Sequence, residues 1–246
     1  MPSVDDIVSR LRAAGCVFAE DEAALLLEET DDPARLEAMV QQRVAGLPLE
    51  HALGWAEFCG MRIIVEPGVF VPRPRTEALV AAAIAVARRG SVVLDLCCGS
   101  GAVGAAIEGT VEVELHSAEL DPVAVRVARR NVSRVYEGDL YEPLPPNLRG
   151  RVDVIVVVAP YVPSEEIALL PHEARDFEPH LALDGGADGL DLLRRIIAEA
   201  PQWLAPGGTF LTEVSERQAP AVAEALGAAG LVASTNGIVV SGVRPS

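Results

Sequence analysis

Residues 92–104 read Val92-Val93-Leu94-Asp95-Leu96-Cys97-Cys98-Gly99-Ser100-Gly101-Ala102-Val103-Gly104. A short apolar run gives way to a glycine turn and then to small helix-forming residues, which reads as strand, tight turn, helix. Glycine carries no Cβ, so such a turn lets backbone N–H groups come close to a ligand. Gly99-x-Gly101 on its own is also what an ordinary tight turn looks like, so its meaning depends on what flanks it.

The same alternation continues on both sides. A helix is expected over residues 76–88 and a strand over 91–96, with a helix from Ala102. A strand follows at 114–119, a helix at 122–131 and a short strand at 134–137. Residues 152–158 are almost continuously apolar, as a strand buried on both faces should be. A helix at 190–200, a strand at 209–214, a helix at 219–229 and two strands near 231–234 and 238–243 complete seven strands. The pattern predicts an α/β fold, a doubly wound, Rossmann-like sheet.

Upstream the period changes. Val4, Ile7, Val8 and Leu11 recur at helical spacing after Ser3, a good N-cap. A second helix is expected near 20–28. A third follows Asp31-Asp32-Pro33 and ends near Gly46. Over residues 51–71 the helical period is lost. Trp55, Phe58, Met61, Ile63 and Val65, with Gly54, Gly60 and Pro67-Gly68 among them, suggest a hairpin. The expected organisation is a small N-terminal helical domain over 1–50, a hairpin linker over 51–75 and the α/β domain over 76–246.

Composition narrows the chemistry. The chain has 246 residues, 36 acidic and 20 basic, for a net charge of −16. Every basic residue is Arg. Without lysine there is no Schiff-base chemistry and no phosphate-loop lysine. The acidic balance argues against direct nucleic-acid binding. The longest apolar runs are half of the roughly 20 residues a membrane span needs, and the start carries Asp5 and Asp6 rather than an apolar signal core. Cys16, Cys59, Cys97 and Cys98 and the four histidines show neither disulfide nor metal spacing. Reduced thiols, no metal and a cytoplasmic location are therefore expected.

Three acids then sharpen the glycine turn. Asp95 precedes it, where it repels a pyrophosphate and suits a ligand bearing an ammonium group. Glu119 ends the second strand, where a carboxylate can bind both ribose hydroxyls. Asp139 follows the third strand, in Glu137-Gly138-Asp139-Leu140, where an acid can meet an adenine amino group. Each alone reads as a solvated loop acid. Together they fit S-adenosylmethionine, held by Asp95, Cys97, Gly99, Gly101, Glu119, Leu120, Asp139 and Leu140.

Longer segments carry a resemblance. Asp95-Leu96-Cys97-Cys98-Gly99-Ser100-Gly101 resembles motif I of class I methyltransferases. Phe70-Val71-Pro72-Arg73-Pro74-Arg75-Thr76-Glu77 resembles the PRPxTE segment of the HemK-related protein glutamine-N5 methyltransferases. Ala159-Pro160-Tyr161-Val162-Pro163 stands where that family has Asn-Pro-Pro-Tyr. The run from Glu178-Pro179 through Asp184-Gly185-Gly186-Ala187-Asp188-Gly189 is similar to its downstream signature, and Arg43 to Gly54 to the end of its helical domain. The resemblance implies the seven-stranded class I methyltransferase sheet and methyl transfer from S-adenosylmethionine to a glutamine amide, typically in a translation release factor. It places the reaction at Val158, Ala159, Pro160 and Tyr161, with Phe70, Arg73, Tyr161 and Glu178 toward the acceptor.

Three positions depart from that family. Val158 replaces the asparagine that holds the amide by two hydrogen bonds, and Ala159 replaces the first proline. Cys97 stands where many members have glycine. Valine offers no side-chain hydrogen bond, and a buried amide left unpaired costs roughly 1–3 kcal/mol. An apolar slot suits an apolar acceptor, so the expected activity is methyl transfer to a small molecule, aromatic or peptide-derived. The alternative is the release-factor glutamine methyltransferase, and a second is a non-catalytic S-adenosylmethionine-binding protein.

Overall fold

The computed structural model describes residues 2–246. Four helices open the chain: α1 (Val4–Ala13), α2 (Ala19–Glu29), α3 (Pro33–Val44) and α4 (Leu49–Leu53). Ser3 caps α1 by accepting from the Asp6 N–H at 3.2 Å. Asp32 caps α3 by accepting from the Ala34 N–H at 2.9 Å. Ile7, Leu11, Leu26, Leu36 and Val40 are fully buried between these helices and form a core of their own. Within it Arg43 grips Glu22 through two hydrogen bonds, at 2.6 and 3.0 Å.

A two-stranded hairpin follows, β1 (Trp55–Phe58) and β2 (Met61–Ile64). It is narrower than the apolar pattern suggests, because residues 49–53 continue as a helical turn that stops at Gly54, whose φ is +86°. The remaining α-helices and strands are α5 (Glu77–Val86), β3 (Val92–Leu96), α6 (Ala102–Thr110), β4 (Glu114–Glu119), α7 (Pro122–Asn131), β5 (Val135–Glu137), β6 (Val152–Val157), α8 (His172–Phe177), α9 (Asp191–Trp203), β7 (Leu204–Glu213), α10 (Ala219–Ala228), β8 (Val232–Asn236) and β9 (Val239–Val243).

The seven strands β3–β9 form one sheet in the order β5-β4-β3-β6-β7-β9-β8. The pairs from β5 to β7 are parallel, whereas β9 is antiparallel to both β7 and β8. Alternation across the pleat explains the apolar run of β6, which only Asp153 interrupts. Ile155 and Val157 pack into the layer that holds Trp203, Phe210 and Leu193, and Val154 and Val156 into the layer that holds Leu79, Val103 and Ile107. β7 starts earlier than its apolar residues suggest, at Leu204. It carries Pro206-Gly207-Gly208 as a strand entry with a register irregularity opposite Val152 and Val154. Among the described residues no helix is long and apolar enough to cross a membrane.

The chain runs outward from β3 through β4 to β5 and returns to place β6 on the other side of β3. The order of strands therefore reverses between β3 and β6, and the crevice beyond their carboxyl ends is where open α/β sheets hold ligands.

Candidate active site

A cleft of about 1220 Å³, counting its open mouth, occupies that crevice. On the β3–β5 side it is lined by Cys97, Gly99, Glu119, Leu120, Asp139 and Leu140. On the β6 side it is lined by Val158, Ala159, Pro160 and Tyr161, and from the hairpin side by Phe70 and Arg73. Residues from separate sequence motifs are thus brought to one cavity. Asp95, Gly101 and Glu178 stand behind its walls.

Asp95 is 1% exposed, and its Oδ2 accepts from the Gly104 N–H at 2.9 Å. The carboxylate turns under the glycine loop and pins the first turn of α6 to β3. The expected direct contact between Asp95 and a ligand ammonium is not the contact the side chain makes. Burial pushes its pKa up to about 7, and the nearby Glu119 adds to the rise while the Gly104 hydrogen bond opposes it. Gly104 is glycine for the same reason: a Cβ there lies 3.0 Å from both Asp95 Oδ2 and Leu115.

Glu119 closes the turn from the neighbouring strand. Its Oε2 accepts from the Gly99 N–H at 2.8 Å, and its Oε1 from the Leu120 and Asp121 N–H groups at 2.8 and 2.9 Å. A carboxylate has about four acceptor positions, so three N–H donors leave capacity for a ligand hydroxyl. Burial raises the Glu119 pKa, and these three donors pull it back. Gly99 has φ +55°, and a Cβ added there meets no protein atom within 4 Å. Its α-carbon faces the open cleft, a cradle fitted to a ligand. Cys97 also has φ +55° and is, among the described residues, one of three non-glycine residues in the left-handed region, with Cys59 and Leu140. That conformation explains why a glycine is common at its place in similar motifs.

Asp139 is already paired, its Oδ2 bonded to Arg195 of α9 at 2.7 Å. On the opposite wall, Arg73 donates to both Glu178 oxygens at 2.7 Å, and the Val71 N–H donates to Glu178 Oε1 at 3.1 Å. The Arg73 guanidinium lies 4.9 Å from the centre of the Phe70 ring. Glu178, expected to face the acceptor, is instead the buried anchor that sets Arg73. Burial raises its pKa and Arg73 opposes the rise. Arg75 lies 4.8 Å from the centre of the Tyr161 ring and 3.5 Å from Glu213. The segment between His172 and Glu178 contains α8, and its Glu173 reaches Arg43 of α3 at 2.7 Å. Arg75 stands at the variable position of the PRPxTE segment, and Arg195 and Glu213 lie in no motif, so only the packing singles out these three.

No protein-family model matches the chain. The release factor glutamine methyltransferase of Streptomyces coelicolor is 41% identical over 199 residues, 77% of this chain and 70% of that protein. The one from Deinococcus radiodurans is 34% identical over 249 residues, 90% of this chain and 88% of that protein. The chain belongs to the release factor glutamine methyltransferase, or HemK, family. The fold agrees: a methyltransferase from Pyrococcus furiosus superimposes with a TM-score of 0.56 at 18% identity, over 76% of this chain and 90% of that one.

As a HemK-type enzyme the protein is an S-adenosylmethionine-dependent methyltransferase. The donor set suits that cofactor, with a carboxylate at the end of β4, an open glycine α-carbon at Gly99 and an apolar floor from Cys97 and Leu140. The expectation of a small-molecule acceptor is not supported, because both relatives are named for a release-factor glutamine.

Proposed function

We propose that this HemK-family enzyme methylates the side-chain amide nitrogen of a glutamine in a translation release factor. The observation that carries the reading is the backbone of the loop after β6. The carbonyl oxygens of Ala159 and Pro160 accept no hydrogen bond among the described residues. Both residues line the cleft, and both carbonyls can receive the N–H groups of an amide. Loss of the asparagine side chain at 158 removes one pair of partners but leaves this backbone pair. Carbonyls at these two residues satisfy both amide N–H groups without any side chain at 158, and only the amide oxygen loses the donor an asparagine would supply.

When bound, S-adenosylmethionine supplies an electrophilic methyl group. The protein's part is to hold the acceptor nitrogen in line with it, and positioning of this kind supplies much of the rate. Ala159 and Pro160 fix the direction of the amide N–H bonds, and Val158 and Tyr161 form the apolar sides of the slot. Glu119 and the turn around Gly99 hold the donor from the other side of the crevice.

The helical layer over residues 1–50 serves in this reading as the outer wall for the partner protein. It is fastened to α8 through Arg43 and Glu173, and α8 leads directly into Glu178, the partner of Arg73. Removing it is expected to spare cofactor binding and abolish turnover.

The test is transfer of a labelled methyl group to a purified release factor, beside the same factor with its target glutamine changed to alanine and a panel of small aromatic and cyclic-dipeptide acceptors. Label in the first alone is the expected result. Label in a small acceptor and none in the release factor restores the small-molecule reading, and no transfer to any acceptor points to a binding protein.

A further inference from the structure

Gln218 precedes α10 and is 5% exposed. Its Nε2 donates to the Tyr161 carbonyl at 2.9 Å and to the Asp188 carbonyl at 3.0 Å. Its Oε1 accepts from the Ser215 N–H at 3.2 Å and from Ser215 Oγ at 2.7 Å. All four hydrogen-bonding positions of the amide are filled. Rotating it by half a turn sets its oxygen against two carbonyl oxygens, so the network itself assigns the orientation.

The peptide unit between Tyr161 and Val162 is thereby held at both ends. Its oxygen takes Gln218, and its N–H donates to the Leu183 carbonyl at 3.0 Å. The Val162 carbonyl accepts from the Gly185 N–H at 2.9 Å, and the Ser164 N–H donates to the Gly186 carbonyl at 2.9 Å. The glycine-rich segment 184–189 is thus stitched along the loop. Gly189, at φ +79°, has no room for a Cβ, which would collide with the Tyr161 carbonyl and with Gln218 Nε2.

The geometry points to Gln218 as the positioning residue of the acceptor loop. It locks Tyr161 and Val162 from the α10 side and thereby fixes the direction of the Ala159 and Pro160 carbonyls just before them. This role matters more in a chain with Val158, where those carbonyls carry the orientation of the acceptor alone. The assignment rests on the proposed glutamine acceptor for its kinetic consequence, though not for its structural one.

Three variants separate positioning from scaffolding. Gln218→Met keeps the volume and loses every hydrogen bond. Gln218→Glu keeps an acceptor for Ser215 and loses both donors at neutral pH. Ser215→Ala loses only the hydroxyl contact at the other end of the amide. Amide hydrogen exchange is measured at residues 162 and 185, together with S-adenosylmethionine affinity, kcat and KM for the release factor.

The expected result for Gln218→Met and Gln218→Glu is at least tenfold faster exchange at 162 and 185. Cofactor affinity stays within twofold, and kcat falls at least tenfold with a smaller change in KM. Ser215→Ala keeps its kcat. Acidification protonates the new carboxyl and restores one donor, so kcat of Gln218→Glu relative to wild type rises as pH falls. Unchanged exchange in a folded Gln218→Met overturns the assignment, as does unchanged kcat. If that variant does not fold, the pH response of Gln218→Glu decides the matter, and a flat ratio overturns the assignment. Failure of the wild type to methylate a release factor removes the proposed acceptor, and the exchange data still decide the role of Gln218.

Discussion

The Glu119 carboxylate accepts the backbone N–H of Gly99 at 2.8 Å. One side chain therefore closes the turn after β3 and lines the cofactor cleft from the end of β4. Hydrogen bonds to a charged group are worth about 1.5–3 kcal/mol, and about 1.4 kcal/mol is tenfold in affinity. Glu119→Ala is expected to weaken S-adenosylmethionine binding at least tenfold by calorimetry. An unchanged dissociation constant removes Glu119 from the cofactor site.

Asp95 gives a pH dependence with a definite sign. Its pKa in the folded protein is raised from 3.8 to about 7, with burial the main cause. A raised carboxyl binds its proton more tightly in the folded state, so its contribution to stability is complete below about pH 4. That contribution is lost progressively up to about pH 7 and changes no further above it. The amide that Asp95→Asn introduces does not titrate. The melting temperature of this variant relative to wild type, measured without cofactor, is therefore expected to rise from about pH 4 to about pH 7 and then level off. A difference that is flat across this range shows that Asp95 does not titrate there.

Val158→Asn probes the slot directly. An asparagine side chain at this position adds a donor and an acceptor for a glutamine amide beside the Ala159 and Pro160 carbonyls. With a glutamine acceptor the rate on the release factor is expected to rise several-fold, mostly through kcat. A fall in that rate, with no gain on any other acceptor, means the slot has been rebuilt around valine and the amide is held another way.

Gly189→Ala places a Cβ against the Tyr161 carbonyl at a backbone φ of +79°. Left-handed strain of this kind costs on the order of 1–3 kcal/mol. A loss of that size in urea unfolding is expected, together with reduced kcat, because the strain is relieved by moving the acceptor loop. Full stability in the variant shows that the 184–189 segment yields without cost.

Arg43→Met leaves Glu22, 8% exposed, without its partner. Breaking a buried pair from one side costs about 3–5 kcal/mol. The helical layer is expected to unfold at lower urea than the α/β sheet, seen as a separate transition in tryptophan fluorescence from Trp55. A single transition at the wild-type midpoint shows that the pair does not hold the layer.

Much of this was written locally. The glycine turn at 99–101, the carboxylate at 119, the apolar period of α1 and the nearly continuous apolar run of β6 are short-range patterns. They report backbone conformation and burial without reference to distant residues. They yielded the seven strands, the helical layer and the cofactor. Other features were out of reach for the same reason. Whether Asp95 faces the cleft or turns beneath it depends on the fit of α6 against β3, which is set by Gly104 and Leu115. Glu178 meets Arg73 across 105 residues, and Gln218 meets Tyr161 across 57. The valine at 158 was visible, and it suggested an apolar acceptor because a sequence displays side chains and hides backbone carbonyls. Every residue carries the same carbonyl. Only the tertiary structure decides which of them stand unpaired in a cleft, as those of Ala159 and Pro160 do among the described residues.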